Sequence, residues 1–254
     1  MAGEMRTVLL TLRFDGTRYH GFQVQKNALT VCEVFQDALE KTLGKRWDVK
    51  GCSRTDTGVH ANCYCISFQT DHAIPCERLV RALNSSLPAD IAVTGAREMP
   101  IDFHARYHCV GKQYIYTIHN SVVKDPFDYR RMYRYGANLD QEMLHRQAQA
   151  FVGKHDFAAF CTRAQEQSDT CRTITAFDVL REGDRVIFRV SGDGFLYNMV
   201  RILVGTLVYI SMGRITPGSI PAILQSRDRS LAGKTMPAKG LSLNEVYYPG
   251  MTCK

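Results

Sequence analysis

Apolar spacing along the chain runs through one order of elements and then through the same order again, and this duplication limits the folds open to it. Arg6–Phe14 alternates and is rich in Val, Leu and Thr, which predicts a strand ending at the turn formers Asp15 and Gly16. In Val31–Leu43 the apolar residues fall at helical spacing, with Thr30 as N-cap, Glu33 as its capping-box partner and Gly44 as the stop. Strands are predicted around Trp47–Ser53 and Cys63–Thr70, then a helix near Pro75–Ser85 and a strand at Ile91–Arg97. After residue 106 come strands at Lys112–His119 and Tyr129–Tyr133, a helix at Gln141–Phe151, strands at Thr173–Arg181 and Arg185–Ser191, and a helix at Leu196–Met212. Two similar α+β halves are expected, residues 1–105 and 106–254. The repeat lies in the elements, not in the letters. No Pro/Gly/Ser-rich linker separates the halves, so they are expected to share one continuous sheet.

The 254 residues suffice for one large domain or two compact halves, and 45% apolar with 22% charged residues excludes a disordered chain. No apolar run approaches the roughly 18 residues that a membrane-spanning helix needs. The amino terminus lacks a signal-peptide core before charges return at Arg13 and Asp15. A cytoplasmic protein with no membrane partner is expected. Nine cysteines form no CxxC pair, and Cys63 and Cys65 with His60 and His72 match no usual zinc spacing, so neither a disulfide framework nor a metal site is expected. Residues 1–105 carry twelve Lys and Arg against twelve Asp and Glu, so the whole +7 excess sits in the second half. A polyanionic partner would be approached mainly from there.

Three features carry chemistry. Asp56 lies between two predicted strands in a polar turn, with Arg54 before it and His60 after it. Alone it reads better as a turn aspartate than as a catalytic one. The predicted helix Leu196–Met212 is apolar nearly all round, and Arg201 is its only charge. A buried guanidinium needs a carboxylate or an equivalent set of acceptors. The spacing leaves open whether that partner is Asp56 or a residue at the helix margin such as Asp193. Finally, residues 106–135 hold six Lys or Arg and six of the twelve tyrosines, the mixture that grips phosphates while stacking bases. On an alternating strand Lys112, Tyr114 and Tyr116 share one face, and Tyr114 is expected to face RNA.

Ser53-Arg54-Thr55-Asp56-Thr57-Gly58-Val59-His60-Ala61 resembles the RTDxGVHA signature of the TruA family of tRNA pseudouridine synthases. Phe14–Gln25 is similar to its YDGxxYxGWQxQ, and Asp102–Arg106 to its DFHAR. Lys112–Tyr116 is similar to its second motif, Phe195–Gly205 to its FLxxMVRxxVG helix, and Lys239–Leu241 to its third motif. The chain departs from the pattern at Phe22, often Trp in the family, and at Ser53, often Gly. Neither removes a group that the chemistry requires.

The resemblance implies two ferredoxin-like halves in one mixed, largely antiparallel sheet with helices on one face. It implies a homodimer without cofactor that isomerises uridines 38 to 40 of the tRNA anticodon arm. Residue by residue, it implies Asp56 as the catalytic aspartate, Arg201 as the cation paired with it and Tyr114 as the ring stacked on the target uracil. Arg54 would occupy the base's former space or guide it outwards, and Leu241 would line its pocket. Two other readings stand beside this one. The basic, aromatic segment also suits a non-catalytic RNA-binding module. Asp56-Thr57-Gly58 is also the triplet of aspartic proteases, but those need a second such triplet or a dimer, and here an arginine precedes the only one.

Overall fold

The computed structural model describes residues 4–254. Along the chain these form β1 (Arg6–Phe14), α1 (Val31–Leu43), β2 (Lys50–Gly51), β3 (His60–Thr70), α2 (Cys76–Asn84), β4 (Ile91–Met99), β5 (Gly111–His119) and β6 (Tyr133–Arg134). There follow α3 (Gln141–Ala148), β7 (Gly153–Asp156), β8 (Cys171–Glu182), β9 (Arg185–Gly192), α4 (Met199–Ser211), α5 (Ile220–Ser226), β10 (Leu241–Tyr248) and β11 (Met251–Cys253). The class is α+β, and every strand pairing with a recorded register is antiparallel except the short parallel contact of β5 with β6.

Two compact units result. The first runs up to Val110 and regains the carboxy-terminal Leu243–Lys254; the second is Gly111–Ser242. The expected half 106–254 is therefore divided, because most of β10 and all of β11 lie with the first unit.

In the first unit β1 runs between β3 and β4, with Arg6 opposite Thr70 and Thr7 opposite Met99. Val8, Leu9, Leu10 and Leu12 are all buried, as a central strand requires. The α1 caps form as its sequence predicts. Thr30 accepts from the Glu33 amide at 3.3 Å, and Gly44 takes the left-handed conformation (φ 80°) while its amide donates to the Glu40 carbonyl. The apolar stripe Val31, Phe35, Ala38, Leu39 is buried, and α1 packs beside α2, which itself lies against β4.

In the second unit β9 is central, paired with β5 on one side and β8 on the other. Helix α3 lies against β8, and α4 lies against β5 and α3. Helix α4 is buried nearly all round, as its composition predicts, but it starts at Met199 and not at Leu196. Asn198 sits in the left-handed region (φ 62°), which stops the helix from extending backwards. The strand predicted at Tyr129–Tyr133 is mostly turns. Asp125 accepts from the Phe127 amide, and the Asp128 carbonyl accepts from the amides of Arg131 and Met132, so local turn chemistry overrides the β propensity of the tyrosines. No helix among the described residues is long and apolar enough to cross a membrane.

Candidate active site

Asp56 is partly buried in the loop between β2 and β3, and the sequence around it shows how the loop is held. The Val59 amide donates to the Asp56 carbonyl at 3.1 Å, closing a turn in which Gly58 takes φ 77°. A second layer, Asp15–Phe22, supports this turn from behind. The Gly58 amide donates to the Tyr19 carbonyl at 3.1 Å, and the Gly16 amide donates to Nδ1 of the fully buried His60 at 3.0 Å. Approach here leaves no room for side chains. A Cβ on Gly16 would lie 1.9 Å from the Val59 carbonyl oxygen, and one on Gly21 would lie 2.2 Å from that of Thr55.

The supporting layer is itself fixed. Tyr19, 1% exposed, donates its hydroxyl to Asp90 Oδ1 at 2.7 Å, and burial followed by this bond pushes its pKa up to about 12. Arg18 Nε binds the other Asp90 oxygen at 2.7 Å. Across the loop, the Tyr64 hydroxyl donates to the Ser53 carbonyl, and the Tyr64 ring stacks on Phe22 at 4.2 Å between centroids. Phe22 thus does its packing without an indole N–H. His60 belongs to the scaffold of the loop. Arg54 is exposed, on the same loop as Asp56. Thr55 Oγ1, next to Asp56, is buried with no hydrogen-bond partner among the described residues.

In the second unit, Arg201 lies one turn into α4. Its Nε donates to the Met236 carbonyl at 2.6 Å and its Nη1 to Asn198 Oδ1 at 2.7 Å. The Met236 carbonyl reaches it because the segment 233–236 crosses α4 at two glycines. A Cβ on Gly205 would lie 1.8 Å from the Lys234 carbonyl oxygen, and one on Gly233 would lie 2.4 Å from the Thr206 amide. Asp193, the alternative partner, accepts from the Thr173 amide at 2.9 Å.

Tyr114 stands on β5 opposite Val190, 7% exposed, with its ring edge-on to Phe195 at 5.2 Å. Two residues on, Tyr116 is wholly buried and donates its hydroxyl to the Pro237 carbonyl at 2.8 Å, so this tyrosine is core. Its ring occupies the space that a side chain at Gly240 would need. That contact positions the start of β10, where Leu241 is 6% exposed. In the second unit, α4 with Arg201 and the turn Ala238–Gly240 just before Leu241 both pack against β5 with Tyr114, and the first unit carries Asp56 and Arg54 on one loop.

Sequence reasoning assigned no role to Asn198, Gly205, Met236 or Tyr64. Only the lack of a Cβ at 205, in a helix otherwise made of large residues, signals a close approach.

A family model described as tRNA pseudouridine synthase matches residues 11–108 and 147–249. A protein named tRNA pseudouridine synthase A from Acetivibrio thermocellus is 46% identical over 244 residues, covering 96% of this chain and 100% of the relative. Its namesake from Clostridium acetobutylicum is 43% identical over the same shares of both chains. Among solved structures, an H/ACA RNP bound to a substrate RNA containing 2'-deoxyuridine aligns over 78% of this chain and 41% of that one. Its TM-score is 0.38 with 13% identity, too slight a likeness to bear on the site. The family model reaches into both units but leaves out 109–146 and with it Lys112–Tyr116, while the relatives align over nearly the whole chain; neither the protease nor the bare binding module is favoured. The chain belongs to the TruA family of tRNA pseudouridine synthases.

Proposed function

We propose that the protein is a tRNA pseudouridine synthase acting on uridines 38, 39 and 40 of the anticodon arm, with Asp56 as the catalytic carboxylate. The reaction breaks the N1–C1′ bond, turns the uracil and rejoins C1′ to C5; the hydrogen leaves C5 and N1 gains one, so product and substrate are isomers. The base must first leave its stack, at a cost of a few kcal/mol. Arg54, exposed on the Asp56 loop, guides it outwards. Tyr114 stacks on the freed uracil and Leu241 lines its pocket, keeping the ring in place for reattachment. Arg201 pairs with Asp56 and keeps the carboxylate ionised at neutral pH. The protein works as a cytoplasmic homodimer without a cofactor.

The observation that carries this reading is the double wall behind the Asp56 turn, where Gly16 and Gly21 let backbone meet backbone. A turn aspartate with no chemistry to perform needs no such restraint. The test is to incubate unmodified tRNA transcripts with the protein and with Asp56→Ala and to map pseudouridine chemically. Pseudouridine at 38 to 40 with the wild type, and none with the variant, is expected. Binding of tRNA without wild-type pseudouridine formation on any transcript would reject the reading.

A further inference from the structure

Beside the Asp56 loop, and wholly within the first unit, lies a cleft of about 380 Å³, in the range of sites for small ligands. Its floor is apolar, formed by Phe22, Cys32 and Val49. Three cations line it, Lys50, Arg54 and Arg106, against the single carboxylate of Asp48. Lys50 Nζ already meets Asp48 at 2.5 Å, which leaves the exposed Arg54 and Arg106 as the cations open to an incoming anion. The remaining wall is aromatic. Tyr107 is 77% exposed, although a tyrosine ring is a large apolar surface to leave in water. Its ring lies over His104 at 4.2 Å and 34°. His104 cannot swing away, because its Nδ1 accepts from the backbone amides of Arg106 (3.1 Å) and Tyr107 (3.4 Å). Burial, and then the nearby Lys50, lower the pKa of His104, so at neutral pH it supports the tyrosine as an uncharged plane. Gln23 and Gln36 also line the cleft; the Gln36 amide nitrogen is held by the Trp47 carbonyl at 3.1 Å, which leaves Gln23 to bond a base edge.

We infer that this cleft is a second nucleotide site, holding an unpaired RNA nucleotide next to the one that reacts, with its base on Tyr107 and its phosphate between Arg54 and Arg106. The inference rests on the proposed RNA-modifying function and deepens it. A preformed aromatic platform flanked by cations is the arrangement that single-stranded nucleic acid rewards, because every base has a face to stack and every linkage a charge to neutralise. Arg54 thereby belongs to both sites. It stands on the Asp56 loop and on the cleft wall, so filling the cleft orders the side chain that would replace the extruded uridine.

The test measures binding of a fluorescent, unmodified anticodon stem-loop RNA to the full-length protein by anisotropy, alongside its conversion. Tyr107→Ala should weaken binding roughly tenfold, and Tyr107→Phe, which keeps the stacking face, should stay within about twofold of the wild type. Arg106→Ala should lower the slope of log Kd against log salt by about one. In conversion assays the Tyr107→Ala defect should fall on KM and not on kcat. The same binding losses in an Asp56→Ala background are expected, since the cleft requires no chemistry. Wild-type affinity in Tyr107→Ala would overturn the inference and point to a protein partner for this surface. Equal losses in Tyr107→Phe and Tyr107→Ala would overturn it too. Tyr107-dependent binding with no pseudouridine formed would sink the catalytic reading alone, while pseudouridine formation with Tyr107-independent binding would sink the cleft alone.

Discussion

Replacing Gly16 by alanine tests whether the backbone wall behind the Asp56 turn matters to catalysis. The added Cβ would lie 1.9 Å from the Val59 carbonyl oxygen, whereas ordinary contact begins near 3.4 Å, so one backbone or the other must retreat by about 1.5 Å. Val59 is bonded through its amide to the Asp56 carbonyl, and the retreat carries the turn with it. Overpacking of this kind costs about 1–3 kcal/mol. At roughly 2–4 °C per kcal/mol for a chain of this size, Tm falls by several degrees and the protein still folds. Catalysis suffers more, because a displacement of about 1 Å at reacting groups is worth about 100-fold. The assay is kcat/KM for pseudouridine formation on a tRNA transcript, with Tm measured on the same preparation. Gly44→Ala is the control. Its φ of 80° makes the substitution strained, yet nothing lies within 4 Å of the new atom and it is remote from the loop, so it should lose about 1 kcal/mol of stability with kcat/KM intact. A folded Gly16→Ala protein with kcat/KM within threefold of the wild type would show that the backbone wall does not position Asp56.

Asn198 both takes a left-handed backbone and accepts from Arg201, so Asn198→Gly should be about 1 kcal/mol more stable than Asn198→Ala while both lose activity alike; recovery of activity in the glycine variant alone would contradict the acceptor role. Thr55→Val removes a buried hydroxyl without a partner and should raise stability to urea by about 1 kcal/mol; a loss would show that the hydroxyl has a partner after all. The pKa of His104 is lowered on folding, so the unfolded chain takes up its proton first as pH falls. Its contribution to stability is therefore present above the unfolded value of 6.5 and is lost as pH drops below it towards the folded value. Urea unfolding at pH 7.5 and pH 5 should show a smaller decline for His104→Gln than for the wild type, and equal declines would remove His104 as the cause.

Much of this was legible in the sequence, for reasons that differ from element to element. Helix α1 carries its own punctuation in Thr30 and Gly44, and both ends fall where those residues put them. β1 shows alternation and ends at Asp15 and Gly16. By contrast β2 shrinks to Lys50–Gly51 within the longer strand expected, because Gly51 lies against Tyr64 and Phe22 and the chain leaves the sheet to build the Asp56 loop. No pattern of apolar residues encodes that departure. Beyond residue 212 the apolar spacing predicts no element. The short α5, β10 and β11 form there, and β11 owes its place to pairing with β10, a tertiary contact that local spacing does not record. Among the candidate residues, Asp56, Arg201 and Tyr114 stand out by residue type against their surroundings. Their supports do not, since the Met236 carbonyl and the left-handed Asn198 act through backbone geometry that residue type conceals.

If the Asp56 carboxylate performs the isomerisation, its loss must stop tritium release from C5. Forming the C1′–C5 bond expels the hydrogen at C5, so tRNA made with uridine tritiated at C5 reports each turnover as tritium in water. Under single-turnover conditions with saturating protein, Asp56→Asn, which keeps the shape and loses the charge, should bind the tRNA within about threefold of the wild type. It should release tritium at least about 100-fold more slowly, the smallest loss expected for a catalytic carboxylate. Release at the wild-type rate from Asp56→Asn would mean that the Asp56 carboxylate is not the catalytic group.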